Sequence, residues 1–320
     1  MTMSKATIDS DGLHISDKEV SEKLEKKSIS PSMITALEGC HARWLGETFI
    51  VNDVLLEEVD SPAKRGSMFH KVMEKFFARD EDDRTTSAMK ETMAEVLQSD
   101  EFKDLGSIPE AVSWLKEAVN NYYSMGANPK KVSIATVTDD YGRERKGLEI
   151  FVKGNIGDSK RETLGFVDRL IFDPRREGSV VVEDWKTGKV KKWNGSFTKG
   201  AEGYAEQRQQ MIYSTLLTNK GLEVSGARLI FPLGKEIVNV DLGNTELRDR
   251  VIEDVKRTDE ALDLLIDSNN FEYSPGFFCA WCPLAKICPQ ADIKPYKKMQ
   301  DAYATQPDPE LFTDVIDFGD

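Results

Sequence analysis

Two apolar runs near the middle of the chain predict a β-hairpin. Residues 164–172 and 179–186 are rich in Val, Ile, Leu and Phe, a composition typical of strands. Between them, Asp173, Pro174 and Gly178 are residue types that favour turns. The pattern therefore predicts two neighbouring antiparallel strands joined by a short turn.

Each strand of this hairpin carries a carboxylate, Asp168 on the first and Asp184 on the second. Side chains alternate between the two faces of a strand, so Asp184 and Lys186 project to the same side. If the turn is centred on Arg176, Asp168 lies opposite Asp184, with the two β-carbons about 4.5–5.5 Å apart. Two carboxylates this close repel each other and lose hydration, a conflict that a divalent cation such as Mg²⁺ or Mn²⁺ removes. The pair predicts a metal site beside a lysine that could stabilise negative charge; a salt-bridged polar strand is the alternative.

Helical periodicity of apolar residues predicts helices on both sides of the hairpin. The predicted helices span residues 66–78, 86–99, 109–124, 204–218 and 246–266, and further strands span 132–137, 148–156 and 228–240. An earlier helix begins at Ser30 and Pro31, a capping residue followed by a proline, and carries Cys40. His70 lies at the edge of the apolar stripe of helix 66–78, where a packing role and a ligand role are both open.

The charge balance limits how the chain could bind nucleic acid. It has 43 Lys and Arg against 56 Asp and Glu, a net charge of −13 in 320 residues, which argues against indiscriminate binding to duplex DNA. The exception is residues 186–199, which contain five lysines and no acidic residue. Lysines can contact phosphates while an aromatic ring stacks on an unpaired base, although a solvated loop is the alternative. The candidate DNA contacts are Lys189, Lys191, Lys192, Trp193 and Lys199.

Hydropathy also bears on location. No stretch approaches 18 consecutive apolar residues, and the N-terminal sequence MTMSKATIDSDG has no hydrophobic signal region. We therefore expect an intracellular, cytoplasmic protein with no membrane contact.

Four cysteines form a second candidate site. Cys40 is distant in sequence from Cys279, Cys282 and Cys288, which follow a C-x2-C-x5-C spacing. In an intracellular protein such cysteines favour metal binding over disulfides. Four thiolates suit either tetrahedral zinc or a [4Fe–4S] cluster, and spacing alone does not decide between them.

Four motifs together resemble those of the PD-(D/E)XK nuclease superfamily. They are the GSMFH of residues 66–70, the GFVD of 165–168, the EDWKTG of 183–188 and the QQMIY of 209–213. More narrowly, they resemble its RecB-like branch, which includes CRISPR-associated iron–sulfur exonucleases and the nuclease domain of AddB. The distant cysteine followed by C-x2-C-x5-C is similar to the iron–sulfur members of that branch, so the resemblance implies a [4Fe–4S] cluster. In the family a proline usually follows the first cysteine, whereas His41 follows it here.

The resemblance implies roles for the motif residues. Metal ligation is expected from His70, Asp168 and Asp184, with help from the Trp185 carbonyl. Lys186 would orient or stabilise the attacking group. Gln209 and Tyr213, four residues apart on one helix face, would support it; by periodicity alone they could equally lie on an exposed face.

The expected fold class is α/β, a restriction-endonuclease-like mixed β-sheet flanked by helices. It would carry a helical insertion and an iron–sulfur flap built from N- and C-terminal segments. The expected divisions are a loosely ordered arm at 1–28, a single RecB-like nuclease domain at 29–289 with its insertion at about 79–130 and its flap from about 30–45 and 271–289, and an extension with an acidic tail at 290–320.

The expected function is Mg²⁺- or Mn²⁺-dependent exonuclease action on single-stranded or frayed DNA ends, in recombination, repair, phage replication or CRISPR adaptation. Exonucleases of the resembled branch commonly cleave with 5′→3′ polarity, so the resemblance implies that polarity here. A recombination or replication protein could dock on the acidic tail. The alternatives are a catalytically inactive, metal-stabilised DNA-binding adaptor and a restriction-type endonuclease, which shares the fold.

Overall fold

The described part of the chain covers most of the range in which the sequence predicts structure. The computed structural model describes residues 5–50, 60–138, 142–198, 200–276, 279, 282, 284–285 and 287–291. Lys199 and the acidic tail beyond residue 291 therefore lie outside the described residues.

The described residues form both helices and strands. The helices are α1 Lys18–Glu25, α2 Pro31–Gly39, α3 His41–Leu45, α4 Pro62–Ala78, α5 Thr86–Gln98, α6 Lys103–Gly106, α7 Pro109–Ser124, α8 Tyr204–Asn219 and α9 Thr245–Ser268. The strands are β1 Ala6–Ile8, β2 Gly12–Ile15, β3 Thr136–Thr138, β4 Glu144–Lys146, β5 Leu148–Gly154, β6 Thr163–Phe172, β7 Ser179–Trp185, β8 Glu223–Phe231, β9 Glu236–Val240 and β10 Phe271–Glu272. The predicted hairpin and the predicted longer helices agree with these elements to within a few residues.

The chain divides into two compact units. The first unit takes its described residues from 1–57, 155–164 and 252–314, and the second takes its described residues from 58–154 and 165–251. The sequence predicted one nuclease domain over 29–289, whereas residues from that range fall in both units.

A five-stranded mixed sheet forms the centre of the second unit, in the order β5-β6-β7-β8-β9. Strands β6 and β7 are antiparallel, with Arg169 paired to Glu183, and β7 and β8 are parallel. A parallel pair needs a crossover connection, which here contains α8. The register is the one expected from a turn centred on Arg176, and it brings Asp168 towards Asp184.

Helices cover both faces of this sheet. Helices α4, α5 and α7 pack through one apolar core on the face that carries Ile171, Val181 and Trp185. Asp184 precedes Trp185 and so points to the other face, where α8 contacts the sheet. The prediction of a mixed sheet flanked by helices is confirmed, and α5 to α7 occupy the range of the predicted helical insertion.

The first unit contains a small antiparallel sheet in the order β1-β2-β10. Its central strand pairs Leu13 with Phe271, which is 258 positions away in the chain. The prediction of a loosely ordered arm at residues 1–28 is therefore wrong for the described residues 5–28. Strands of three or four residues are too short to show a sustained period, although the Asp9-Ser10-Asp11-Gly12 turn was a usable signal.

Cys40 does not lie inside a helix, as the sequence predicted. It has extended backbone angles, φ −141° and ψ 119°, and separates α2 from α3. One helix therefore ends just before Cys40 and the next begins just after it. No helix among the described residues combines the length and apolar character needed to cross a lipid bilayer.

Candidate active site

The candidate active site lies at the end of the antiparallel pairing between β6 and β7. The last antiparallel pair is Arg169 with Glu183, and one step beyond it the carboxylate of Asp168 accepts a hydrogen bond of 2.7 Å from the backbone N–H of Trp185. Asp168 and Asp184 are 9% and 2% exposed, so both carboxylates are largely removed from water. Buried carboxylates need compensating charge or hydrogen bonds.

Asp168 belongs to a group of three possible metal ligands. One donor atom each from His70, Glu149 and Asp168 lies within 4.8 Å of the other two. Helix α4 supplies His70, whose Nδ1 is 3.4 Å from Oδ2 of Asp168. Strand β5 supplies Glu149 near its first residue. This is the one such group of His, Cys, Asp and Glu residues found within the described part of the chain.

The second aspartate is engaged in a different network. Nζ of Lys186 lies 2.9 Å from Oδ2 of Asp184 and donates a hydrogen bond of 2.7 Å to Oε1 of Gln209. The amide of Gln209 in turn donates to Oδ1 of Asp184 and to the hydroxyl of Tyr213, each at 3.1 Å. The predicted i, i+4 pair on α8 therefore faces the sheet and holds the lysine in place.

Tyr213 also packs closely against β6. A β-carbon built at Gly165 would lie 2.4 Å from the Tyr213 ring, so the strand can approach this ring only with glycine at that position. Burial raises the pKa of the Tyr213 phenol, and the nearby Asp184 carboxylate adds to the rise. Tyr213 is therefore a neutral hydrogen-bonding group at physiological pH.

The protonation equilibria reflect crowded negative charge. Burial raises the pKa of Asp184 to about 6; Lys186 opposes the rise and Asp168 adds to it. Burial likewise raises the pKa of Glu149 to about 7, with Asp168 contributing. Burial favours neutral His70, but the charges of Asp168, Asp184 and Glu149 outweigh it and raise the pKa of His70 to about 9. The raised pKa values of His70, Glu149 and Asp184 show that the carboxylates of this site have too little positive charge near them.

The chemistry of the donor set fits a divalent cation. Carboxylate oxygens with one imidazole suit Mn²⁺ or Mg²⁺, and no thiol is present in the group. A cation here would relieve the repulsion that raises the pKa values of the carboxyl groups. We therefore take His70, Glu149 and Asp168 as the residues best placed to hold it, with Asp184 beside them.

Sequence reasoning missed Glu149. The structure brings together His70 and Asp168 as predicted, but Glu149 completes their group and Asp184 does not belong to it. Glu149 has a positive φ of 48°, which non-glycine residues seldom adopt and which tends to occur at functional sites. A glutamate near the start of a predicted strand was the available signal, and nothing in the local pattern distinguished it from a surface residue. The side chain of Trp185 packs in the core against Phe77, and the role of its carbonyl stays a prediction.

The predicted DNA-contact run lies in the loop between β7 and α8. Lys189 is exposed there. Lys191 and Lys192 are in ion pairs, the first 2.6 Å from Glu206 and the second 2.5 Å from Glu236. Each of these two lysines would exchange an acidic partner for a phosphate on binding DNA.

Trp193 is only partly exposed in the same loop. Its ring packs against Phe197 and Tyr204, with centroid distances of 5.2 and 6.1 Å, and its Nε1 donates to the carbonyl of Ser196. Stacking of a base on Trp193 would therefore use only the part of the ring that this aromatic cluster leaves open.

The four cysteines line one cavity in the first unit. No three of their Sγ atoms lie mutually within 4.8 Å of one another, and all four are free thiols. Backbone N–H groups approach each thiol: those of Ser274 and Gly276 lie 3.4 Å from Cys40 and Cys279. The corresponding donors to Cys282 and Cys288 are Leu284 and the pair Gln290 and Ala291.

Burial raises the pKa of two of these thiols. The pKa of Cys282 rises to about 11, although the N–H of Leu284 partly opposes the effect. The pKa of Cys288 is also raised by burial, and the neighbouring Cys40 and Cys279 add to it. These thiols would need a cationic partner to become thiolates at neutral pH.

Comparison with solved structures returns distant similarities. A protein from Eubacterium rectale, provisionally named an exonuclease, matches over 94% of this chain and 98% of its own, with 10% identity and a TM-score of 0.45. The structure of SSO0001 matches over 84% of this chain and 93% of its own, with 14% identity and a TM-score of 0.35. No curated protein sequence matches this chain.

A family model gives a firmer assignment. The model of the PD-(D/E)XK nuclease superfamily matches residues 28–289, which is most of the chain and includes every residue of the candidate active site. The chain therefore belongs to the PD-(D/E)XK nuclease superfamily.

Proposed function

We propose that this protein is a divalent-metal-dependent exonuclease of the RecB-like branch that degrades single-stranded or frayed DNA ends. The observation that carries the proposal is the group formed by His70, Glu149 and Asp168, with the Asp184–Lys186 pair beside it. A bound Mg²⁺ or Mn²⁺ would supply Lewis-acid stabilisation of a phosphate and an activated water.

The protein residues of the site have separable roles in this proposal. Lys186 provides a fixed positive charge where negative charge develops during phosphodiester cleavage. Gln209 holds Lys186 through its carbonyl oxygen and Asp184 through its amide, so it keeps the two oppositely charged groups in one geometry. Tyr213 fixes Gln209 through its hydroxyl. The lysine is thus oriented before substrate arrives.

The test is degradation of end-labelled DNA in Mn²⁺, in Mg²⁺ and in EDTA. We expect metal-dependent shortening of linear single strands from an end, and no cleavage of a closed single-stranded circle. Asp168→Asn should abolish the reaction, whereas Asp173→Asn, in the turn after the same strand, should retain it. Cleavage of the circle would point to an endonuclease, and no cleavage of any DNA in either metal would overturn the proposal.

We further propose that Cys40, Cys279, Cys282 and Cys288 hold a [4Fe–4S] cluster. The shared cavity and the backbone N–H group directed at each thiol support a site for a thiolate-bound centre. A single zinc ion held by the four thiolates is the alternative occupant of the same site.

Anaerobic purification tests the cluster. We expect brown protein that contains iron and sulfide at about four each per chain, as a cluster held by four thiolates requires. Cys288→Ala should lose this colour and its metal. Colourless protein with one zinc per chain and full activity would contradict the proposal without affecting the assignment of the nuclease site.

A further inference from the structure

An exposed aromatic pair lies on the two strands that supply the metal-site carboxylates. Phe151 on β5 and Phe166 on β6 are 43% and 53% exposed, and their ring centroids are 5.3 Å apart with a tilt of 52°. Large apolar side chains usually avoid water, so two contacting rings left exposed together are a candidate interaction surface.

The position of the pair relates it to the candidate active site. Phe151 follows Glu149 by two residues and Phe166 precedes Asp168 by two, a separation of about 7 Å along each strand. Stacked nucleotides repeat about every 3.4 Å along one strand, so this separation corresponds to about two nucleotides. A strand with one phosphate at the carboxylates would have a neighbouring base within reach of the rings.

We propose that Phe151 and Phe166 form a stacking platform for unpaired bases of the substrate strand, an inference that rests on the proposed nuclease function. Aromatic rings stack on any base, because every base has a π-face, so the platform gives affinity without sequence preference. Bases inside an intact duplex are already paired and stacked and cannot use it. The platform would therefore favour single strands and frayed ends over blunt duplex.

The chain offers a matched control for this idea. Phe172 is 42% exposed and lies on β6 as well, but six residues beyond Phe166 and therefore about 20 Å away. Leu keeps the apolar bulk of Phe and removes its π-face. The double variant Phe151→Leu, Phe166→Leu therefore tests stacking. The single variant Phe172→Leu is the control, because it makes the same exchange elsewhere on β6. All three rings are exposed, and the exchanges should leave the fold intact.

The measurement is fluorescence anisotropy with a labelled oligonucleotide in Ca²⁺ in place of Mg²⁺ or Mn²⁺, so that binding is read with a cation at the carboxylates and with cleavage suppressed. We expect the double variant to bind single-stranded DNA about tenfold or more weakly than wild type, the scale of losing a base stack. Phe172→Leu should bind as wild type does. An oligonucleotide that carries abasic sites at its end should bind wild type and the double variant equally weakly.

Kinetics supply a second readout. The double variant should raise KM for single-stranded DNA and leave kcat largely unchanged, because the rings act on binding and Asp168 and Lys186 remain. Equal affinity of wild type for intact and abasic strands would overturn the platform even if metal-dependent cleavage is present. So would a double variant that binds normally, or a wild-type dimer that the double exchange converts to a monomer. Failure of the nuclease proposal would appear separately, as absence of cleavage by wild type.

Discussion

A buried ion pair on the two central strands gives a specific prediction about stability. Arg169 and Glu183 are 2% and 0% exposed, and Nε of Arg169 donates to the glutamate at 2.5 Å. The guanidinium also lies over two rings, 4.1 Å from the centroid of Phe77 and 4.4 Å from that of Trp185. Arg228 contacts the other oxygen of the glutamate. The perturbation is Arg169→Met, which keeps length and removes charge.

The expected cost follows from what remains after the exchange. Removing one partner of a buried ion pair costs about 3–5 kcal/mol, because it leaves an uncompensated buried charge. Arg228 stays on Glu183, so we expect the lower end, about 3 kcal/mol. For a unit of this size that corresponds to a fall in Tm of about 6–12 °C.

A double exchange separates charge from packing. Arg169→Met combined with Glu183→Leu removes both buried charges and leaves Arg228, which is partly exposed and can be hydrated. Replacing a buried pair by apolar residues is often close to neutral, so the double variant should be more stable than Arg169→Met alone.

The assay is thermal and urea unfolding, followed by near-ultraviolet circular dichroism. Arg175→Met is the matched control, because Arg175 is 87% exposed in the turn of the same hairpin and should cost less than about 1 kcal/mol. The reasoning is refuted if Arg169→Met is no more destabilising than Arg175→Met, or if the double variant is less stable than the single one.

Three further predictions concern the site, the basic loop and the first unit. Lys186→Met should lower cleavage by several hundred-fold or more while DNA affinity is retained, since the lysine acts on developing charge; near-normal turnover would contradict its role. Replacing Lys189, Lys191 and Lys192 with Ala should reduce the slope of log affinity for single-stranded DNA against log salt concentration by about 2, at about 0.7 per phosphate contact. An unchanged slope would mean that these lysines lie in a solvated loop. Burial opposes protonation of His14, but the Asn269 carbonyl and the Asp9 carboxylate raise its pKa. The stabilisation that protonated His14 gives the folded state should be complete below about pH 6.5, the pKa of histidine in the unfolded chain. It should be lost as pH rises through the higher pKa of His14 in the folded state. The free energy of unfolding of His14→Gln should not show that loss with rising pH. A wild-type free energy of unfolding that stays constant over this pH range would refute the prediction.

The central hairpin was predictable because its signals are local. Period-two alternation and a turn centred on Arg176 determine which residues face each other, and the observed Arg169–Glu183 pair has that register. Helical spacing put Gln209 and Tyr213 on one face of α8, and only the family resemblance implied that this face supports Lys186, which Gln209 contacts. The hairpin, by contrast, required only neighbouring residues to be read correctly.

The missed features depend on distant parts of the chain. Glu149 joins the group of possible metal ligands through packing of β5 against residues from α4 and β6, and its left-handed backbone is invisible in a hydropathy pattern. The strands near the N-terminus are defined by pairing with Phe271. Periodicity over a short window cannot report either relationship. Cys40 was assigned to a helix because its flanking residues are helical, although the chain is extended at the cysteine itself.

The pairing of β2 with β10 also sets an order of events during synthesis. Leu13 leaves the ribosome 258 residues before Phe271 does. At about 5–20 residues per second, the first strands wait roughly 13–50 s for their partner. During that interval the edge of β2 that β10 will cover carries unpaired backbone donors and acceptors, which other chains can engage. Release of a chain that stops short of residue 271 would make this exposure permanent, so truncated products should aggregate or be degraded.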